Sequence, residues 1–343
     1  MKALVLVEYN TLEYKDVPDP SVGPGDVLIA VKACGICGSD VHGLDGSSGR
    51  RLPPLIMGHE AAGIIAEVGE GVTDWNTGDR VTFDSTISCG ACHFCRRGAT
   101  NLCDNRRVLG VSCEEYRQEG AFAEYVAVPE RVLFRLPDDL SFERASMVEP
   151  FSVAVHAVNR VGPRGGESAL VAGAGVIGLC LVQALRAAGC GPIIAVDLQQ
   201  ERLDLARRVG ADCALKPEAA DLMPEVMRLT GGRGVDAAFE AVGITPTLQL
   251  AIQCVRKGGA VGLVGNISPS VELPLQAAVT RELTLYGSCI SRGEYADCLE
   301  MMSRGALDPE PLISATAPLA EGAAWFERLR DREPGLVKVV LTP

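Results

Sequence analysis

The chain has 343 residues, a formal net charge of −12, 47% hydrophobic and 22% charged residues, the composition of a globular protein long enough for two domains. The acidic balance, with no basic block, argues against nucleic acid as a partner, and no apolar run reaches the roughly 18 residues of a membrane span. Thirteen cysteines follow an N-terminus that enters strand-like alternation directly, Met1-Lys2-Ala3-Leu4-Val5; with no secretory signal they point to a reducing, cytoplasmic setting where clustered thiols bind metal.

From Met1 to about Arg135 short β-prone runs, at 27–32, 62–68, 80–83, 123–128 and 132–136, are separated by turns such as Val22-Gly23-Pro24-Gly25-Asp26. This pattern predicts a barrel-like β domain. Inside it, Cys89-x2-Cys92-x2-Cys95-x7-Cys103 sets four thiols within fifteen residues on a loop with Gly90 and Gly98. Four thiolates close a tetrahedron around zinc and leave no open position, which marks a structural site. A disulfide pair leaves the regular spacing unexplained, and an iron–sulfur cluster lacks a redox partner motif. His93, between two of the ligands, reads as a loop residue facing solvent.

A second set is dispersed: Cys37, His59-Glu60 and Glu149. A thiolate, an imidazole and a carboxylate make three ligands and leave a fourth position for water or substrate. By spacing alone each also has an ordinary reading, as a buried small residue, a core histidine and a surface acid before Pro150.

Helical periodicity begins near Leu140, over 142–147 and 152–161. The apolar run Ser168-Ala-Leu-Val-Ala172 then enters Gly173-Ala174-Gly175-Val176-Ile177-Gly178, followed by a helix to Ala188 and a strand ending in Asp197, 22 residues after Gly175. Strand, glycine turn, helix, strand and acid form a dinucleotide site: Gly173 and Gly175 bring backbone to the pyrophosphate, and Gly178 lets helix and strand pack. Asp197 accepts from the ribose hydroxyls and repels a 2′-phosphate, so NAD is expected over NADP; nearby Arg202 is placed either to meet such a phosphate or to cover the adenine face. Strands predicted at 213–215, 235–239, 260–264 and 283–286 alternate with helices and complete a six-stranded doubly wound parallel sheet. The tail holds helices near 295–303 and 319–330 and a strand at 337–341.

Several motifs together resemble the zinc-containing medium-chain dehydrogenase/reductase family: Cys-Gly-Ile-Cys-Gly-Ser-Asp-Val-His at 34–42, Met-Gly-His-Glu at 57–60, Gly-Asp-Arg-Val at 78–81, the four-cysteine loop, Gly-Ala-Phe-Ala-Glu-Tyr at 120–125 and the glycine turn. The stretch Met147-Val-Glu-Pro-Phe-Ser-Val-Ala-Val-His156 resembles the polyol (sorbitol) dehydrogenase branch. The resemblance implies a GroES-like β-rich catalytic domain in two pieces, 1–152 and 288–343, with a Rossmann NAD-binding domain at 153–287. It implies catalytic zinc on Cys37, His59 and either Glu60 or Glu149, with Asp40 fixing the histidine tautomer. Ser39 falls where a hydroxyl meets the substrate oxygen and His42 at the outer end of a proton path. Ile177, Asp197, Arg202, Val264, Gly265, Asn266, Ser288 and Ile290 fall where relatives touch NAD. Relatives also pair edge to edge through the strand at 283–286, as dimers or tetramers.

The implied reaction interconverts a secondary alcohol of a polyol and its ketone. Threonine 3-dehydrogenase, butanediol dehydrogenase, sugar-alcohol-phosphate dehydrogenase and an NAD-binding protein without catalytic zinc are the alternatives. Where sorbitol enzymes carry an Arg-Tyr pair this chain has Cys289-Ile290-Ser291-Arg292, which separates it from sorbitol as substrate.

Overall fold

The computed structural model describes residues 1–112 and 117–343. Two compact units form: Met1–Glu149 with Tyr295–Ser303 and Ile313–Pro343, and Pro150–Glu294 with Arg304–Leu312. The chain therefore leaves the first unit after Glu149 and re-enters it after Glu294, where the sequence placed boundaries at 152 and 287. Arg304–Leu312 belongs with the second unit because the Gln183 amide clasps Asp308. Its Nε2 donates to the Asp308 carbonyl at 2.8 Å and its Oε1 accepts the Asp308 N–H at 2.7 Å. Among the described residues no helix is long and apolar enough to cross a membrane.

The first unit is built on Asp26–Gly35, whose Val27, Ile29, Val31 and Ala33 point inward at period two. That strand is central in a seven-stranded sheet ordered Leu133–Arg135, Arg80–Phe83, Glu60–Val68, Asp26–Gly35, Lys338–Thr342, Ile313–Pro318, with Tyr125–Pro129 also paired to it. Alternation ceases at its end, where Ala33, Cys34 and Gly35 are all buried. Two registers meet there: Gly35 pairs with Glu60 on one side and with Val340 on the other. A smaller sheet of Thr11–Asp16, Lys2–Glu8 and Leu55–Ile56 adds to the same core, where Phe122 and Phe326 meet edge to face at 5.7 Å.

The second unit carries six parallel strands in the order Cys213–Leu215, Ile193–Val196, Ala169–Ala172, Val235–Glu240, Val255–Leu263, Thr284–Gly287. Ala169–Ala172 and Ile193–Val196 are buried at every residue, as strands with helices on both faces are. Strand order reverses beside Ala169–Ala172, which puts the switch-point crevice at the glycine turn.

Differences from the sequence expectation have local causes. Helix Val148–Val161 starts four residues early, since Pro150 in a first turn lacks only an N–H that has no helical acceptor. Val255–Leu263 starts five residues early through Gly258-Gly259, with a register shift against Val235–Glu240; the glycines hid it. Ile313–Pro318 is a strand that its small residues and terminal proline concealed.

At Gly178 an added Cβ meets the Gly173 carbonyl oxygen at 1.8 Å, a backbone atom that cannot swing away. Gly178→Ala gains about 1 kcal/mol of helix propensity but forces strand and helix apart, so a net loss of about 1–3 kcal/mol is expected. Urea unfolding followed by circular dichroism measures it; an unchanged midpoint contradicts the close packing.

Candidate active site

Cys37 caps the short helix Gly38–Gly43, its Sγ accepting from the Ser39 N–H at 3.4 Å and the Ser39 hydroxyl at 3.3 Å. Asp40 reaches back to the Cys37 N–H at 3.3 Å, which closes a capping box. The Asp40 carboxylate, fully buried, also accepts from Arg51 at 2.8 Å and lies 3.5 Å from His59 Nδ1. Burial works against its charge, but His59 and Arg51 prevail and hold its carboxyl well below the usual range. His59, in turn, is pushed well above its ordinary value by Asp40 and Cys37 against the opposing pull of burial. Nδ1 makes no hydrogen bond at that separation; the contact with Asp40 is electrostatic, and it leaves Nε2 as the nitrogen the ring would offer to a metal.

Glu60, the first residue of its strand, is 1% exposed. Lys338, equally buried, donates to Glu60 Oε2 at 2.5 Å and to the Ile36 carbonyl at 2.9 Å. A side chain at Gly35 has no room, because its Cβ meets Glu60 Oε2 at 2.3 Å. The donor atoms of Cys37, His59 and Glu60 all lie within 4.8 Å of one another. Ligands at about 2.0–2.3 Å from zinc stand some 3.5 Å apart, so a small inward shift closes this set on an ion. Cys37 remains partly exposed, which keeps one side accessible. Glu149 is not in that set; burial pushes its carboxyl up to about 7, with Glu60 adding to the rise and His59 and Lys338 opposing it. Arg51 and Lys338 stand against two of the buried acids, and a thiol, an imidazole and a carboxyl are donors of the kind that hold a divalent cation. The residues fit a zinc ion.

The donor atoms of Cys89, Cys92, Cys95 and Cys103 also lie within 4.8 Å of one another. Cys103 Sγ accepts from the N–H groups of Cys89 and Asn105 at 3.2 and 3.3 Å, and Cys92 Sγ from that of Cys95 at 3.5 Å. Backbone donors at Ala91 and Cys92 bring the Cys89 thiol down to about 6, while burial takes Cys103 up to about 12. Donated N–H groups favour the thiolate at Cys89, and four thiols this close together fit zinc as well. His93 stays outside it, edge-on to Phe94 at 5.3 Å.

In the second unit Gly173 has φ 99°, and Gly175 caps the helix Val176–Ala187 with no side chain bonded to that terminus. The free N–H groups make an anion site. Asp197 accepts from the Ala174 N–H at 2.8 Å and the Gln199 N–H at 2.9 Å, and Arg202 stands 3.8 Å away. Val264 and Gly265 donate to the Glu240 carbonyl at 2.9 and 3.0 Å. Asn266 next to them is exposed, and Val176, Ile177, Ser288 and Ile290 are half-buried. Buried Glu240, which sequence reasoning passed over, binds the Val242 and Gly243 N–H groups and Thr247. Also passed over were Arg51 and Lys338. A lysine inside the apolar strand Val337-Lys338-Val339-Val340-Leu341 was a readable signal; Arg51 carried none.

Residues 23–138 match the family described as alcohol dehydrogenase GroES-like domain, and residues 176–304 that described as zinc-binding dehydrogenase. The chain belongs to the zinc-binding alcohol dehydrogenases. This dehydrogenase is 34% identical over 348 residues to a sorbitol dehydrogenase of Bacillus subtilis, covering 100% of this chain and 97% of that one. An alcohol dehydrogenase from a Thermus species superposes with a TM-score of 0.93 at 34% identity, covering 100% of this chain and 99% of that one. A zinc-binding dehydrogenase from Sinorhizobium meliloti bound to NADP superposes at 0.90 with 34% identity and the same coverage. The protein is an oxidoreductase with a GroES-like domain and a Rossmann cofactor domain.

Lys338→Met removes the Lys338 partner of the buried Glu60 carboxyl, and a loss of about 3–5 kcal/mol is expected in metal-free protein. With zinc present the loss shrinks, since the ion replaces the lost positive charge. Urea titrations with chelator and with zinc check both; equal losses in the two conditions contradict the placement of Glu60 at the metal.

Proposed function

We propose that this dehydrogenase interconverts a secondary alcohol of a polyol or sugar alcohol and its ketone, with NAD taking the hydride. The Cys37, His59 and Glu60 set carries the reading, because it offers three donors, one of them a carboxylate, and an accessible side. Likeness to the Bacillus subtilis sorbitol dehydrogenase supports the substrate class. Two zinc ions per chain are proposed, one held there with Glu149 as the neighbouring buried carboxylate and one by the four-cysteine loop.

Zinc in the first position supplies Lewis acidity that lowers the pKa of an alcohol hydroxyl. Asp40, gripped by Arg51, orients His59 so that Nε2 ligates. Ser39, which donates to Cys37 Sγ and accepts from Arg51 at 3.2 Å, relays the alcohol proton. His42, exposed at the end of the same helix, passes it to solvent. Lys338 donates to Glu60 Oε2 and so holds that carboxyl in place beside Cys37 and His59. A nicotinamide dinucleotide held at the glycine turn and Asp197 would supply the hydride acceptor for the carbinol carbon.

NAD is proposed over NADP because the Asp197 carboxylate would repel a 2′-phosphate, and adjacent Arg202 stands 3.8 Å from that carboxylate. The NADP in the Sinorhizobium meliloti relative makes the comparison informative. A homo-oligomer, dimer or tetramer, is proposed through the edge strand Thr284–Gly287, flanked by exposed Leu275 and Val279; light scattering should give a mass above that of one chain. Location in the cytoplasm follows from the need of both thiol sets for a reducing compartment, which cell fractionation checks.

Purified protein should hold about two zinc equivalents and reduce NAD with polyols. Its kcat/KM should favour NAD over NADP by at least about tenfold, narrowing in Asp197→Ser. Turnover of butanediol, threonine or sugar-alcohol phosphates with inertness to free polyols overturns the substrate class. Zinc near one equivalent with no alcohol oxidised overturns the enzyme reading.

A further inference from the structure

Helix Val148–Val161 takes hold of one segment at two points. His156 and Arg160 are four residues apart and so leave the helix on one face. Buried His156 places Nδ1 2.7 Å from Oε1 of Glu294, itself nearly buried, and the other Glu294 oxygen accepts the Arg292 N–H. Arg160 donates from Nε and Nη2 to the Gly287 carbonyl at 3.3 and 3.2 Å. The two anchors bracket 287–294, the stretch leaving the strand Thr284–Gly287. Between them Ile290 has φ 52°. A β-branched residue enters that left-handed region only when its surroundings impose it. The Ser288 hydroxyl is buried without a hydrogen-bond partner, while its N–H donates to the Leu263 carbonyl at 2.9 Å. A buried hydroxyl left unmet by protein suits a ligand that supplies the missing bond.

We propose that His156, seconded by Arg160, is a positioning residue that holds 287–294 in shape so that Ser288 to Ile290 meet the nicotinamide carboxamide of the bound dinucleotide. The inference rests on the reading of the second unit as a dinucleotide site, and it adds the two side chains that shape the nicotinamide end. The pair is costly to bury, which a simple tie between two elements does not require. It also holds the Glu294 carboxyl below its ordinary range, with burial opposing and the His156 bond and the Arg292 N–H prevailing.

ADP-ribose, the cofactor without its nicotinamide, separates this role from a general loosening, because the glycine turn and Asp197 suffice to hold it. Calorimetric titration of the full-length protein should show His156→Ala and Glu294→Ala weakening NADH about tenfold while ADP-ribose stays within about twofold. Glu294→Gln should restore most NADH affinity, since its amide can still bond the His156 ring and its oxygen keeps the Arg292 N–H. Arg160→Met, at an exposed position and so safe for folding, should show the same split at roughly threefold. Equal weakening of both ligands, or unchanged NADH binding in all folded variants, overturns the proposal. Wild-type protein that binds neither ligand overturns the dinucleotide reading with it.

Discussion

The catalytic half of this dehydrogenase depends on the antiparallel pairing of Asp26–Gly35 with a strand on each side. Gly35 opposite Glu60 puts Cys37, two residues further on, against His59 and Glu60. Gly35 opposite Val340 carries Lys338 to the same place from the far end of the sequence. Side chains alternate along a strand, so a slip of one residue in either ladder turns Glu60 or Lys338 to the opposite face. The inward apolar set, Val27, Ile29 and Val31, forbids that slip because it would expose the core. Hydrophobic burial thus sets the register, and the register brings the Cys37, His59 and Glu60 donor atoms together.

Charge accounts for much of what surrounds that geometry. Asp40, Glu60 and Glu149 are all buried, a concentration of acids that the interior tolerates only with matching cations. Arg51 and Lys338 supply two. They act differently: Arg51 holds Asp40 beside the histidine, whereas Lys338 takes the Glu60 oxygen that the donor cluster would offer to an ion. The four-cysteine loop follows another route, using backbone N–H groups in place of cationic side chains to favour thiolates. That loop needs little from the rest of the chain, as its ligands span fifteen residues.

The cofactor unit shows the same division between local and distant effects. Its glycine turn is a local device, with Gly173 in the left-handed region and Gly178 without space for a side chain. The neighbouring loops are held by acids at their own ends, two of which also reach a distant partner: Glu240 organises 242–247, Asp197 ties its loop to Ala174, and Glu294 meets both the Arg292 N–H and His156. In each case a carboxylate meets backbone N–H groups that a ligand-binding loop cannot satisfy within itself.

By itself the sequence determined whatever depends on spacing along the chain: the four-thiol loop, the glycine turn with its acid at the next strand end, the alternation of strands and helices, and Cys37 and His59 within recognisable motifs. Those features involve neighbours a few residues apart, where covalent geometry leaves few options. Only the tertiary structure decided that Glu60 rather than Glu149 shares the 4.8 Å cluster with Cys37 and His59. It also brought Lys338, 278 residues away, to Glu60, drew Arg304–Leu312 into the cofactor unit and paired His156 with Glu294. The reason is physical. Such partners are chosen by strand register and by the need of buried charge for a counter-charge, and neither leaves a periodic trace in the order of residues.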